Sequence, residues 1–358
     1  MAITVALVGT TSWYSTTFAR SLQTLGPARA TLAGVAHLGV DDETQLRLSR
    51  VTRDGFGERF GAQMFEHVED LLDATHPDVV LVTSPNTERA HHAVLALEAG
   101  ADVFIAKPMT NSVRDAAQIR AAARAHPHRL VGALNPARFA TAIRQAHARV
   151  QAGEIGEVLT ARAWIQHGAP NTSGSRKGNP ESDDAQGGPA YSLGVYAADL
   201  LNWFVDAGAH PAVRTFAEYD TLNVPPEAGY PWMDSGKAVV RYGAGKLGSM
   251  DLYYSVPIAG PLWEIEAGGR DGLIRTTGGN YEGMIWRRAG LDRPRLEPFA
   301  PTVDDTILNA ITHVVDCCEQ RRPFEMDAEE GYRAIELCAA WIESAWQHAP
   351  VALPLRSD

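Results

Sequence analysis

Cysteine is scarce in this sequence: 358 residues contain three, Cys317, Cys318 and Cys338, and none lies earlier. An odd count placed so late does not suggest a disulfide framework, and buried reduced thiols in a reducing cytoplasm are expected. No run of 18 apolar residues occurs, so no transmembrane helix is expected. No basic stretch precedes the strand-like opening at residues 1–5, so no signal peptide is expected. Lys and Arg are scattered rather than blocked, and the formal net charge is −11. Long-range repulsion then argues against nucleic acid and anionic membranes as partners. No His/Cys/Asp/Glu cluster shows metal-ligand spacing, so no metal is expected.

The composition that is present is ordinary globular material, 45% hydrophobic and 21% charged. The length is large for one compact domain and natural for two. In the first third, residues 3–8, 30–36, 79–82, 103–105 and 130–134 read as short buried strands. Helical spacing fills 15–25, 90–99 and 113–125 between them. Such alternation predicts a doubly wound parallel sheet covered on both faces. The texture then changes. A long helix over 137–150 leads through a Gly-rich turn into a strand at 158–165. Residues 167–189 are polar and rich in Gly, Pro and Ser, the composition of a functional or disordered loop. A helix over 191–204 precedes strands at 213–219, 237–242, 247–254 and 262–267, with Gly243-Ala244-Gly245 as a hairpin turn. Helices at 305–319 and 328–347 close the chain. The expected fold is therefore α/β: a Rossmann-type domain over 1–127, then an α+β domain over 128–358 built on an open, mainly antiparallel sheet.

A dinucleotide turn after the first strand would read G-x-G-x-x-G. Here Gly9-Thr10-Thr11-Ser12-Trp13-Tyr14 keeps only the first glycine; Thr11 and Tyr14 occupy the other two places. Free N–H groups at the following helix start can still bind phosphate, and Thr10, Thr11 and Ser12 could add hydroxyl donors. The acid expected after the second strand, which would meet the ribose, is replaced by His37, with Asp41 and Asp42 a few residues on. No Arg or Lys adjoins His37 to attract a 2′-phosphate. The choice between NAD and NADP stays open.

Several segments resemble the Gfo/Idh/MocA oxidoreductase family. VVLVTSPN at 79–86 is similar to the family's fourth strand and T-P-N turn. EAGADVFIAKP at 98–108 resembles A-G-K-H-V-x-x-E-K-P, and GEIGEV at 153–158 resembles G-E-I-G-x-V. GGPAYSLGVYAAD at 187–199 resembles G-G-G-x-x-x-D-x-G-x-H-x-x-D, and DAEEG at 327–331 is similar to the family's tail. The order and spacing match along nearly the whole chain.

The resemblance implies a catalytic Lys107 and a Tyr196 standing where the family histidine stands, as in some members. It implies cofactor contacts at Gly9, Thr10, Thr11, Ser12, Trp13, His37, Ser84, Pro85, Asn86, Lys107 and Pro108. Substrate contacts are expected at Lys107, Ser192, Tyr196, Arg176 and Asp199, although a carboxylate one turn after Tyr196 more often caps or pairs structurally than reacts. A free tyrosine has a pKa of about 10 and is a poor base; a neighbouring ammonium favours the phenolate. Two departures remove carboxylates: Ala106 stands for the family Glu, and Ser192 for the family Asp. In the loop 167–189, Arg176 and the nearby Lys177, Asn179, Asp183 and Asp184 could contact substrate, and Trp164, Trp232 and Trp263 could stack on a sugar.

The implied activity is hydride transfer between NAD or NADP and a secondary alcohol or ketone of a sugar, cyclic polyol or derivative. Two alternatives accompany it: a cofactor-retaining redox and elimination enzyme of the glycosidase type, and a non-catalytic ligand-binding regulator. An open sheet needs cover, so a homodimer or homotetramer through that sheet is expected.

Overall fold

The computed structural model describes residues 2–167, 188–222, 233–254, 262–277, 283–288, 292–293, 295–298 and 305–355. It divides into two compact units.

In the first unit, β1 (Ile3–Val8), β2 (Ala30–Ala36), β3 (Gln63–Phe65), β4 (Val79–Val82), β5 (Asp102–Ile105) and β6 (Val131–Ala133) form one sheet in the order β3-β2-β1-β4-β5-β6. Neighbouring strands in it pair in parallel. Helices α1 (Trp13–Leu25), α2 (Asp42–Ser49), α3 (Arg53–Phe60), α4 (Val68–Thr75), α5 (Arg89–Glu98) and α6 (Val113–Ala125) connect the strands. β4 and β5 are buried at every position, as strands covered on both faces must be. Local chemistry starts the helices. Ser12 Oγ accepts from Tyr14 N at the start of α1, Asp41 from Thr44 N at α2, and Ser112 from Asp115 N at α6.

The second unit begins with a 3₁₀ turn at Pro136–Phe139 and α7 (Thr141–Gln151). It continues through β7 (Val158–His167), α8 (Gly188–Ser192), α9 (Gly194–Val205), β8 (Ala212–Asp220), β9 (Ser235–Tyr242) and β10 (Leu247–Tyr254). Then come β11 (Leu262–Gly269), β12 (Gly272–Thr277), β13 (Gly283–Arg288) and β14 (Arg295–Pro298). The chain ends with α10 (Thr306–Gln320), α11 (Ala328–Gln347) and β15 (Val351–Ala352). The nine-stranded sheet runs β14-β13-β12-β11-β7-β10-β9-β8-β15. β7 and β10 pair in parallel, and the other neighbours are antiparallel. Burial alternates along β8 and β9, the mark of one packed and one open face. Trp341 and Ser344 of α11 close the packed face. The indole Nε1–H donates to Thr215 Oγ1 at 2.9 Å, and Ala217 N donates to Ser344 Oγ at 3.0 Å.

The fold class agrees with the sequence expectation. The division at 127/128 does not coincide with the units. β6 pairs with β5, so the first unit runs to Asn135. The segment from Ile307 to Tyr332 also belongs to it. Arg29 bonds Asp316 and Glu319 of α10 at 2.6 and 2.8 Å, Arg321 pairs with the enclosed carboxylate of Asp102, and Phe324 meets Phe104 edge-on at 5.4 Å. These attractions join residues 219 to 290 positions apart, which no local pattern in the sequence signals.

Candidate active site

In a doubly wound sheet the ligand crevice lies beyond the carboxyl ends of the strands, where the order reverses. Here the reversal falls between β1 and β4. Gly9 follows β1 with φ +93, and a Cβ on it would lie 2.5 Å from Ser84 Cα. Only glycine allows this approach. The turn after β4 is laced to it: Thr83 Oγ1 donates to Val8 O at 3.1 Å and to Gly9 O at 2.7 Å. α1 then begins at Trp13 with no acidic residue in its first turn. Its opening N–H groups leave a positive end suited to phosphate.

The expected hydroxyl donors divide. Thr10 is enclosed and its Oγ1 donates to Gln45 Oε1 at 3.1 Å, so this hydroxyl faces α2. Ser12 caps the helix, and Thr11 is half-buried. Trp13 is 60% exposed. Tyr14, in the place of the third glycine, is buried and packs on Phe18 at 5.7 Å. His37, the first residue after β2, is 6% exposed, and its Nδ1 has no hydrogen-bond partner.

Lys107 and Pro108 follow β5, and the Lys107 side chain is 5% exposed. A feature absent from the sequence reading holds this turn. Arg89, buried at the start of α5, donates from Nε to Ser84 O at 2.8 Å and from Nη1 to Ala106 O at 2.9 Å and to Pro108 O. One guanidinium thus ties the turn carrying Ser84, Pro85 and Asn86 to both sides of Lys107. An arginine opening a helix reads as solvated in a sequence; its burial is set by three carbonyls from two distant turns. Asn86 and Asn135 are also buried at strand ends.

In the second unit, Tyr196 is 5% exposed on α9. Its ring stacks on Trp263 of β11, with centroids 4.9 Å apart and planes inclined by 23°. Trp263 Nε1 is buried with no partner. Ser192 ends α8 and is half-buried. Asp199 has both oxygens engaged by Arg138, Nε at 2.8 Å and Nη2 at 2.5 Å, with both side chains fully enclosed, as the structural reading of this carboxylate expects. The structure gives Asp199 a framework role. Trp164, half-buried on β7, lies on the opposite side of the sheet from Trp263 by register. Arg176, Lys177, Asn179, Asp183, Asp184 and Trp232 lie outside the described residues. Among the described residues no group of three or more His, Cys, Asp or Glu is disposed to hold a metal ion.

A strand-order reversal marked by a glycine turn with no room for a side chain defines the class: a dinucleotide-binding α/β protein. A family profile described as "Oxidoreductase family, NAD-binding Rossmann fold" matches residues 3–133, and the "GFO/IDH/MocA C-terminal domain" profile matches 143–275. The chain belongs to the Gfo/Idh/MocA oxidoreductase family. It is 26% identical over 305 residues to "Inositol 2-dehydrogenase 3" of Saccharopolyspora erythraea, covering 82% of each chain. It is 31% identical over 173 residues to "D-glucoside 3-dehydrogenase" of Escherichia coli, covering 47% of this chain and 46% of that one. A solved levoglucosan dehydrogenase, in complex with NADH and levoglucosan, shares the fold with a TM-score of 0.84 at 16% identity, over 99% of this chain and 100% of that one. The residues present fit the NAD that the family's first domain binds: glycine at position 9 lets the turn after β1 close against the turn after β4, α1 has no acid in its first turn, and His37 offers an unused ring nitrogen.

Proposed function

We propose that the protein moves hydride between a nicotinamide dinucleotide and a carbon bearing a secondary alcohol or ketone, on a sugar, a cyclic polyol or a derivative of one. The first unit is the dinucleotide-binding part, and the second binds substrate and forms the oligomer. The observation that carries this reading is the enclosed lysine after β5, held in its turn by Arg89 at the carboxyl end of the parallel sheet. The names of the curated relatives, dehydrogenases of inositol and of glucosides, support the substrate class.

When bound, the nicotinamide ring supplies the hydride donor or acceptor. The chain supplies the rest. Gly9, Thr11, Ser12 and Trp13 form the wall at the diphosphate, and Ser84, Pro85, Asn86 and Pro108 shape the turns beside it. Lys107 Nζ stabilises negative charge on the reacting oxygen. Tyr196 takes the hydroxyl proton in oxidation and returns it in reduction. Trp263, stacked on Tyr196, fixes the plane of its ring. Ser192 and Arg176 bind substrate. The outer face of the second unit's sheet carries exposed Phe216 beside exposed Val239 in register, which supports a homodimer or homotetramer through this face. Three free buried cysteines suit a reducing cytoplasm. No helix among the described residues is long and apolar enough to cross a membrane.

Fluorescence titration with NADH and NADPH, followed by an activity screen on sugars and polyols, tests the reading. Lys107→Ala should lower kcat by about 1,000-fold and Tyr196→Phe by about 100-fold, the latter with cofactor affinity held within about threefold. Failure to bind either dinucleotide sinks the reading.

A further inference from the structure

We propose that the cleft beyond β2 selects NAD(H) over NADP(H): His37 hydrogen-bonds a hydroxyl of the adenosine ribose, and the carboxylates of Glu66, Glu69 and Glu88 repel a phosphate placed there. This rests on the reading of the first unit as a nicotinamide dinucleotide domain.

The ribose of a dinucleotide reaches the end of the second strand of such a sheet. His37 stands there, 6% exposed, with Nδ1 unpartnered. A buried polar atom without a partner is unfavourable, and a ligand hydroxyl supplies the missing one. The backbone places acids beside it. His37 N donates to Phe65 O at 2.9 Å, which brings the turn after β3 alongside. Glu66 follows in that turn, and a Cβ on Gly39 would lie 3.7 Å from its Oε1. Leu38 has φ 60, a left-handed conformation that a leucine adopts only under constraint, and such positions gather at ligand clamps.

A groove of about 240 Å³ opens beside this turn, with Glu66, Glu69 and Glu88 in its lining together with His67, His91 and His92. Burial pushes His92 down to about 4, so it brings no positive charge at neutral pH. His37 is likewise held below the ordinary imidazole value, first by burial and then by Arg53; Glu66 and Asp42 oppose this, and His67 adds to it. A neutral imidazole suits a hydroxyl. Arg53 is the guanidinium that acts on His37, and it is 43% exposed and bonded to Asp54 at 3.4 Å. A 2′-phosphate carrying a charge of about −1.5 to −2 would meet three carboxylates in this lining.

Equilibrium titrations of the full chain at pH 8 test this, with NADH and NADPH fluorescence and with 2′-deoxy- and 3′-deoxy-NAD as competitors. NADH should bind about 30-fold more tightly than NADPH. The triple variant Glu66→Gln, Glu69→Gln, Glu88→Gln should bring the two within about threefold by tightening NADPH and leaving NADH unchanged. One deoxy analogue should bind the wild type about tenfold more weakly than NAD does, and this difference should vanish in His37→Ala and persist in His37→Gln. The wild-type comparison of analogues needs no variant to fold. Equal affinities for NADH and NADPH, tighter NADPH, or wild-type affinity for both analogues overturns the inference and leaves the dinucleotide reading standing. Binding of neither NADH nor NADPH overturns that reading, and the inference with it.

Discussion

Asp199 and Arg138 are both fully enclosed, and each is the other's compensation. Removing one partner strands a charge away from water. Asp199→Ala should therefore destabilise the protein by about 3–5 kcal/mol in urea unfolding, and Arg138→Met combined with Asp199→Leu should recover most of that loss. An intact midpoint in the single variant would show that the carboxylate is dispensable to the framework. The pair also shows what a sequence conceals. Asp199 sits in a motif that points to substrate, and its real partner lies 61 residues away on a different element. Arg89 is concealed in the same manner. Gly9 and Lys107 were legible because each ends an apolar strand, and strand ends in a parallel sheet share one edge.

The elements divide by length and pattern. β1, β2, β4 and α11 match the sequence expectation residue for residue, since each carries a long apolar run or a sustained helical period. α2 and α3 escaped it: each has eight mostly polar residues, and α3 holds two glycines. β3 has three residues, too few to alternate visibly. The helix expected over 137–150 is broken, because Ala140 is extended with ψ 128 between the 3₁₀ turn and α7. The helix over 191–204 is broken at Leu193, between α8 and α9.

Two of these helices bear histidines that fold in the neutral state. Burial pushes His92 on α5 and His147 on α7 down to about 4, and His147 also faces Arg138 and stacks on Trp203 at 3.6 Å. The unfolded chain takes up these protons near pH 6.5, whereas the native protein does not. Their contribution is thus full above pH 6.5 and is lost as pH falls towards 4, by roughly 3 kcal/mol per histidine. Urea midpoints should drop across that window, and His92→Gln should flatten the drop. A flat profile in the wild type would contradict the assignment.

At the scale of the whole molecule, the open face of the large sheet is the surface that the proposed oligomer covers. Phe216 and Val239 are 38% and 53% exposed on neighbouring strands, with Ser249 next in the same row. Val239→Glu places a charge in that row and should shift light scattering from a dimer or tetramer to a monomer, with the melting temperature of the monomer little changed. A wild-type monomer at micromolar concentration would remove the proposed oligomer. The sheet itself was legible as open and mainly antiparallel. Its parallel β7–β10 pair was not, because adjacency in a sheet does not follow order in the chain.

The first unit is closed by residues from near the far end of the chain, Ile307 to Tyr332. A ribosome builds from the N-terminus at about 5–20 residues per second. Between Asn135 and Ile307 roughly ten to thirty seconds pass in which Asp102 lacks Arg321 and Phe104 lacks Phe324. The sheet made from residues up to Asn135 is therefore completed only after most of the second unit has been synthesised, and the nascent chain must stay soluble through that interval with its parallel sheet unsealed.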